Sequence, residues 1–172
     1  MARVLTDQEI AVLLGEGKPL PANWQSRLEA RPKMNFKYKQ RDCELKGEAG
    51  DDFRIIIRES IINPLDFSII LTYTDDSGAE FVLVRYNGKH PSEHTNRYEK
   101  TRGLLNSSFR NKFHIHRATE RYQEEGLKID GYAEATEDYS SFETAMSAFV
   151  SSNGFSAPGD NEPSLFDLAG DS

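Results

Sequence analysis

The sequence predicts an α+β domain with helices near the N-terminus, a central antiparallel sheet of four or more strands, a C-terminal packing helix and a flexible acidic tail. Three observations predict it. Apolar and polar residues alternate with period two through the middle of the chain, as where Phe53, Ile55 and Ile57 interleave with Arg54, Ile56 and Arg58. The turn-forming stretch TDDSGAE separates two further alternating runs, FSIILTYT and FVLVRY, which marks a hairpin and antiparallel pairing. Near each end, a capping box precedes apolar residues at helical spacing.

Taken in order, Thr6 and Glu9 form the first capping box and Leu5 with Ile10 the flanking hydrophobic staple, so a helix starts at residue 7 and stops near Gly15 to Gly17. A second helix runs through ANWQSRLEA, with Trp24 and Leu28 one turn apart and Pro32 ending it. From residue 34 a strand is expected, because Met34, Phe36 and Tyr38 alternate with Lys37 and Lys39. The strands at residues 53–58, 67–73 and 81–86 follow. Ser140 and Glu143 form the second capping box, and Phe142, Ala145, Met146 and Phe149 line one helical face through residue 150. Residues 1–153 read as one domain. Residues 154–172 turn to Gly, Pro, Asp, Asn and Ser, which bury too little apolar surface to offset ordering entropy, and read as the tail.

Composition narrows the functional classes. A chain of 172 residues, 37% hydrophobic and 28% charged, is long enough for a real core. No apolar run approaches the roughly 18 residues of a membrane span. A single cysteine, Cys43, excludes an internal disulfide, and the opening MARVLTDQEI enters a capped helix with no apolar signal region, so a cytoplasmic setting is expected. The net charge of −7 is unevenly spread: residues 129–172 hold nine acidic and no basic residues, whereas residues 1–128 hold 21 basic and 19 acidic. Within residues 85–117 the basic residues are Arg85, Lys89, Arg97, Lys100, Arg102, Arg110, Lys112 and Arg117, against Glu93 and Glu99 alone.

All four histidines, His90, His94, His114 and His116, sit in that basic window. On a strand, His114 and His116 share one face while Phe113 and Ile115 take the other, core-facing one. Two chemistries use such a group. Metal binding would draw on His90, His94, His114 and His116, with Glu120 as a carboxylate, although the surrounding positive charge opposes a cation. Acid–base cleavage of RNA would use His114 and His116 as acid and base, with His94 a third candidate. Arg85, Asn96, Arg97, Arg110 and Lys112 would then hold substrate, and Tyr98 or Tyr86 would stack on a base. The plain alternative is a solvated surface loop, since KHPSEHTNRYEKTRG also reads as one.

Four resemblances bear on these alternatives. HIHRATE resembles the first half of the cupin motif over seven residues, with no second half, because every histidine lies before residue 117. The order of helices, meander and late histidines resembles the small ribonuclease-toxin folds related to barnase and the RelE-type toxins. The run RYNG, EHTN, FHIH, ATERYQ and YAEAT resembles a family of small uncharacterised bacterial proteins found on mobile elements, over roughly residues 34–153. That likeness implies a compact α+β domain and singles out Arg85, Asn87, His94, Asn96, His114, His116, Thr119, Glu120 and Tyr122. In the tail, EPSLFDL is similar to bacterial sliding-clamp-binding peptides at Ser164, Leu165 and Phe166, with Glu162 in place of their glutamine.

The first expectation is therefore a metal-independent, toxin-like endoribonuclease that uses histidine chemistry and needs no cofactor. The second is a non-enzymatic module of a mobile element, binding nucleic acid through the basic window or a protein partner, antitoxin-like or a sliding clamp, through Leu165 and Phe166. The third is a metal-dependent enzyme built on the histidine cluster.

Overall fold

The computed structural model describes residues 2–30, 33–35, 37–105 and 107–158. Helix α1 (Asp7–Gly15) and the two-residue strand β1 (Lys18–Pro19) lead to helix α2 (Trp24–Ala30). Strands β2 (Lys33–Met34), β3 (Tyr38–Lys46), β4 (Asp52–Ser60), β5 (Phe67–Thr74) and β6 (Glu80–Asn87) follow. Next come β7 (Glu93–Thr95), α3 (Arg97–Thr101) and β8 (Ser108–Arg110). The chain continues through β9 (His114–Arg117), α4 (Glu120–Glu124), β10 (Tyr132–Ala135), α5 (Phe142–Ser152) and β11 (Phe155–Ser156). The fold is α+β, and among the described residues no helix is long and apolar enough to cross a membrane.

Seven strands form one sheet in the order β10-β9-β6-β5-β4-β3-β2, every neighbouring pair antiparallel. Period-two alternation gives this sheet two different faces. On one, Ile57, Ile69, Tyr86 and Ile115 are successive cross-strand partners, and Leu5 just before α1 covers them together with Ile10, Leu13, Leu28, Ala145 and Phe149 of α1, α2 and α5. Phe149 meets Tyr86 edge-on at 5.4 Å, and Phe142 meets Phe67 at 5.5 Å, which seats α5 on the sheet. On the other face, the row Asp42, Ile56, Ile70, Arg85, His116, Ala133 crosses the sheet. The segment between β6 and β9 pairs β7 with β8 as a separate ribbon and lies against the histidine end of that face.

Four sequence expectations change. The strand expected from Met34 through Lys39 is a reversal, because the Asn35 side chain accepts hydrogen bonds from the Lys37 and Tyr38 amides at 2.9 and 2.7 Å and turns β2 back on β3. Phe36 lies outside the described residues. The C-terminal capping box is formed by Ser141 and Thr144, one residue later than expected, while Thr6 and Glu9 cap α1 as the sequence predicts. Phe155 and Ser156, expected in the tail, pair in parallel with Lys18 and Pro19. KHPSEHTNRYEKTRG, with the plain alternative of a surface loop, instead contributes β7 and α3.

The segments after α1 and α5 meet at Lys18, which is fully buried. Its Nζ lies 2.8–3.0 Å from the carbonyl oxygens of Leu13, Leu14, Glu16 and Asn153, which share its three N–H donors, and 4.7 Å from the Phe53 ring. One ammonium thus satisfies the carbonyl ends of α1 and α5, groups that helices leave unpaired. Burial lowers its pKa to about 8, opposed by Glu16. Lys18→Met should lower the unfolding free energy by about 3 kcal/mol, since it leaves buried carbonyls without a donor. Urea titration measures this, and a loss below about 1 kcal/mol would show that the cage contributes little beyond an ordinary hydrogen bond.

Candidate functional site

The antiparallel register assembles the site. Arg85 stands opposite His116 and Asn87 opposite His114 on β6 and β9, and Ala133 and Ala135 stand opposite the same histidines on β10. Two local features fix the strand ends. Gly88 packs so closely on the Leu65 carbonyl that any side chain there would collide with it, which explains the glycine of RYNG. Asn111 takes a left-handed backbone (φ 52°) between β8 and β9, a conformation asparagine tolerates better than most residues.

The four imidazoles gather into one cluster. His94 and His116 have ring centres 4.8 Å apart at 86°, His114 and His116 are 5.1 Å apart, and His94 and His114 5.8 Å apart. His90 is 5.4 Å from His114, and the Phe109 ring covers both His94 and His114 at 5.1 Å. Burial separates them: His114 and His116 are buried, His90 and His94 half-buried.

Hydrogen bonds assign most of the ring protons. His114 Nδ1 lies 2.7 Å from the Lys112 carbonyl and His116 Nδ1 lies 2.8 Å from the Asp130 carbonyl, so each Nδ1–H donates and Nε2 is left unprotonated. Asn87 Nδ2 donates to His114 Nε2 at 3.3 Å, which occupies both nitrogens of that ring. Asn96 Nδ2 donates to the Ala133 carbonyl and Asn96 Oδ1 accepts from the Ala133 amide, fixing the amide's orientation. His94 Nε2–H therefore donates to Asn96 Oδ1 at 2.8 Å. Burial, followed by repulsion from the surrounding positive groups, holds both strand histidines neutral. His114 is lowered to about 4 by burial and the neighbouring His90, His94 and Arg85, and His116 to about 3 by burial, Arg85 and His114.

A cleft of about 580 Å³ opens beside this cluster, lined by His94 and His116 together with Arg97, Lys128, Glu93 and Tyr122. A roomier cleft of about 730 Å³ lies between α2 and α5 around Trp24, Leu28, Phe142 and Met146, but it contains no histidine. The histidine cleft is the better chemical candidate because titratable rings and cations converge there.

The remaining expected site residues are placed differently from the sequence reading. Arg85 pairs with the buried Asp130 carboxylate and supports the site from beneath. Asn96 is buried and spent on Ala133, where its amide closes the sheet edge like a further strand. Tyr98 already carries the Arg102 guanidinium over its ring at 3.5 Å and stacks with Tyr122 at 5.8 Å, and Tyr86 is in the core. Arg110 is exposed on β8, 3.8 Å from Glu93. Lys112 is exposed beside a different cleft, and Arg97 lines the histidine cleft. Glu120 lies away from the histidines, where its carboxylate accepts from the Asp7 amide and ties α4 to α1. Leu165 and Phe166 lie outside the described residues.

Among the described residues no three His, Cys, Asp or Glu side chains are arranged to hold a metal ion. The sequence reading missed Asp130 and Lys128. Only the pairing of β9 with β10 brings the loop before β10 to His116. Compared with family models, curated proteins and solved structures, the chain finds no match.

The neutral histidines give a pH dependence. Between pH 6.5 and 5 the unfolded chain takes up protons at positions 114 and 116 while the folded chain does not. Folding stability from these groups is therefore full above the unfolded value and falls on acidification, by up to about 1.4 kcal/mol per group per pH unit. Urea titrations across this window should show the fall, and His116→Asn should make it shallower. Equal stability at pH 6.5 and 5 would mean that the rings protonate freely in the folded protein.

Proposed function

We propose that this chain binds single-stranded RNA at the histidine cleft and cleaves it without a metal, with His116 and His94 as the working pair in place of His114 and His116. The observation that carries the reading is the perpendicular pair of rings, 4.8 Å apart, lining one cleft with Arg97 and Lys128. Cleavage of RNA needs a base for the 2′-hydroxyl, an acid for the leaving 5′-oxygen and cations for the phosphorane. His116, neutral and bare at Nε2, has the protonation state of the base. His94, half-buried and held through Nε2–H, would act as the acid in its doubly protonated form, giving the Nδ1 proton to the leaving oxygen.

At a pKa near 3, His116 is a weak base in the empty cleft. A phosphate drawn between Arg97 and Lys128 would set negative charge against His116 and raise it toward the range where proton transfer is efficient. His114, closed off on both nitrogens, orients the others and takes no part in proton transfer. The buried, free Cys43 is compatible with the reducing cytoplasm that this reading assumes.

Incubation of purified protein with mixed single-stranded RNA in excess EDTA tests the proposal. Cleavage should persist in EDTA, and His94→Ala and His116→Ala should each reduce it by roughly 10²- to 10⁴-fold. Arg97→Ala and Lys128→Ala should lower kcat as well as raise KM, because the same cations hold the phosphate and stabilise the phosphorane. Undiminished cleavage by the double histidine variant would overturn the assignment. RNA bound but uncut by the parent would instead favour a non-enzymatic nucleic-acid-binding module.

A further inference from the structure

Asn96 stands at the N-cap of α3, where an asparagine side chain ordinarily accepts a hydrogen bond from the first turn of its helix. Here it makes no such bond. The side chain is 2% exposed and is spent on the edge of β10 and on His94 instead. We infer that Asn96 is a positioning residue for the proposed cleavage, selecting which His94 nitrogen exchanges a proton and holding that ring at its distance from His116; this rests on the reading of the histidine cleft as an RNA-cleaving site.

Two contacts leave the amide a single orientation. The Ala133 N–H donates to Oδ1 at 2.8 Å and Nδ2 donates to the Ala133 carbonyl at 2.9 Å, so a reversed amide would set donor against donor and acceptor against acceptor. Oδ1 is therefore the atom that meets His94 Nε2 at 2.8 Å, and as an acceptor it requires the proton on that nitrogen. A neutral ring protonated at Nδ1 alone would turn a lone pair toward Oδ1. Exchange with substrate is thus left to Nδ1, and when His94 gives up that proton, the ring that remains is the Nε2-protonated form that Asn96 already holds. Among the described residues the His94 ring makes no other hydrogen bond, so this amide is what orients it.

The same amide ties the spacing of the two rings to the sheet. Ala133 is the cross-strand partner of His116, so Asn96 grips the strand next to the one that carries the base, and neighbouring strands lie about 5 Å apart. On its other side Asn96 is fixed by its own backbone. Its N–H donates to the Ser107 carbonyl at 2.6 Å, and its carbonyl accepts from the Lys100 amide at 2.9 Å. His94 lies two residues earlier on β7, and its ring centre is 4.8 Å from that of His116. Forgoing the helix cap thus fastens the strand that carries the acid to the sheet that carries the base.

Nitrogen-15 NMR of the histidine side chains at about pH 8.5, above the ordinary imidazole range, tests this together with cleavage of single-stranded RNA in EDTA by the parent, Asn96→Asp and Asn96→Ala. The parent should show His94 protonated at Nε2 and bare at Nδ1. Both substitutions remove the donor to the Ala133 carbonyl, but Asn96→Asp keeps an acceptor oxygen for His94. It should therefore keep the Nε2-protonated ring. Asn96→Ala should instead show a mixture of tautomers and a kcat roughly 10²-fold below that of Asn96→Asp, with KM little changed. A purely structural role would cost the two variants equally, so equal kcat overturns the assignment. A parent ring protonated at Nδ1, which needs no variant to observe, overturns it as well. RNA left uncut by the parent would sink the cleavage reading and the catalytic role of Asn96 with it, whatever tautomer His94 shows.

Discussion

The structure depends on the period of two in β9 and on the antiparallel pairing that fixes its register. With Ile115 opposite Tyr86, the apolar side of the strand enters the helix-covered core, and the same geometry must send His114 and His116 to the other face beside Asn87 and Arg85. A slip of one residue would place two imidazoles in the core and Ile115 against Arg85. The cost of that exchange specifies the register, and the register assembles the site.

The polar face then has to be covered and its groups satisfied. The ribbon of β7 and β8 supplies the cover through His94 and Phe109, and Asn96 clamps it to the outer edge of β10. On the flank, Arg121 and Tyr122 reach from α4 to Glu99 of α3, and against its burial their hydrogen bonds hold that carboxylate below its ordinary pKa. Covering the strand histidines removes water from them and makes them neutral. Backbone carbonyls then choose which nitrogen keeps the proton. The chemical state of the site follows from the way the sheet face is closed.

Much of this was legible in the sequence. Thr6 with Glu9 and the alternation through residues 53–86 directly predict the first helix and the central strands, because local chemistry and tertiary packing agree there. The shared face of His114 and His116 was legible for the same reason. The reversal at Asn35 was not, because a side-chain cap competed with an alternation that suited a strand equally well. The roles of Asn96 and Tyr98 were misread since a polar or aromatic residue in a basic stretch looks the same whether it faces solvent or joins two elements. Asp130 and Lys128 could be linked to the histidines only through strand pairing, which carries no local signature. Of the residues that the RYNG to YAEAT likeness singles out, Arg85, Asn87, His94, Asn96, His114 and His116 do lie in or against one cluster, whereas Glu120 serves a helix contact instead.

Folding fixes the protonation of these rings before any ligand arrives. Nitrogen-15 NMR of the four histidine side chains at pH 6 tests this most directly. The structure predicts that His114 and His116 are both neutral, protonated at Nδ1 and bare at Nε2. Finding either ring doubly protonated, or protonated at Nε2 instead, would contradict it.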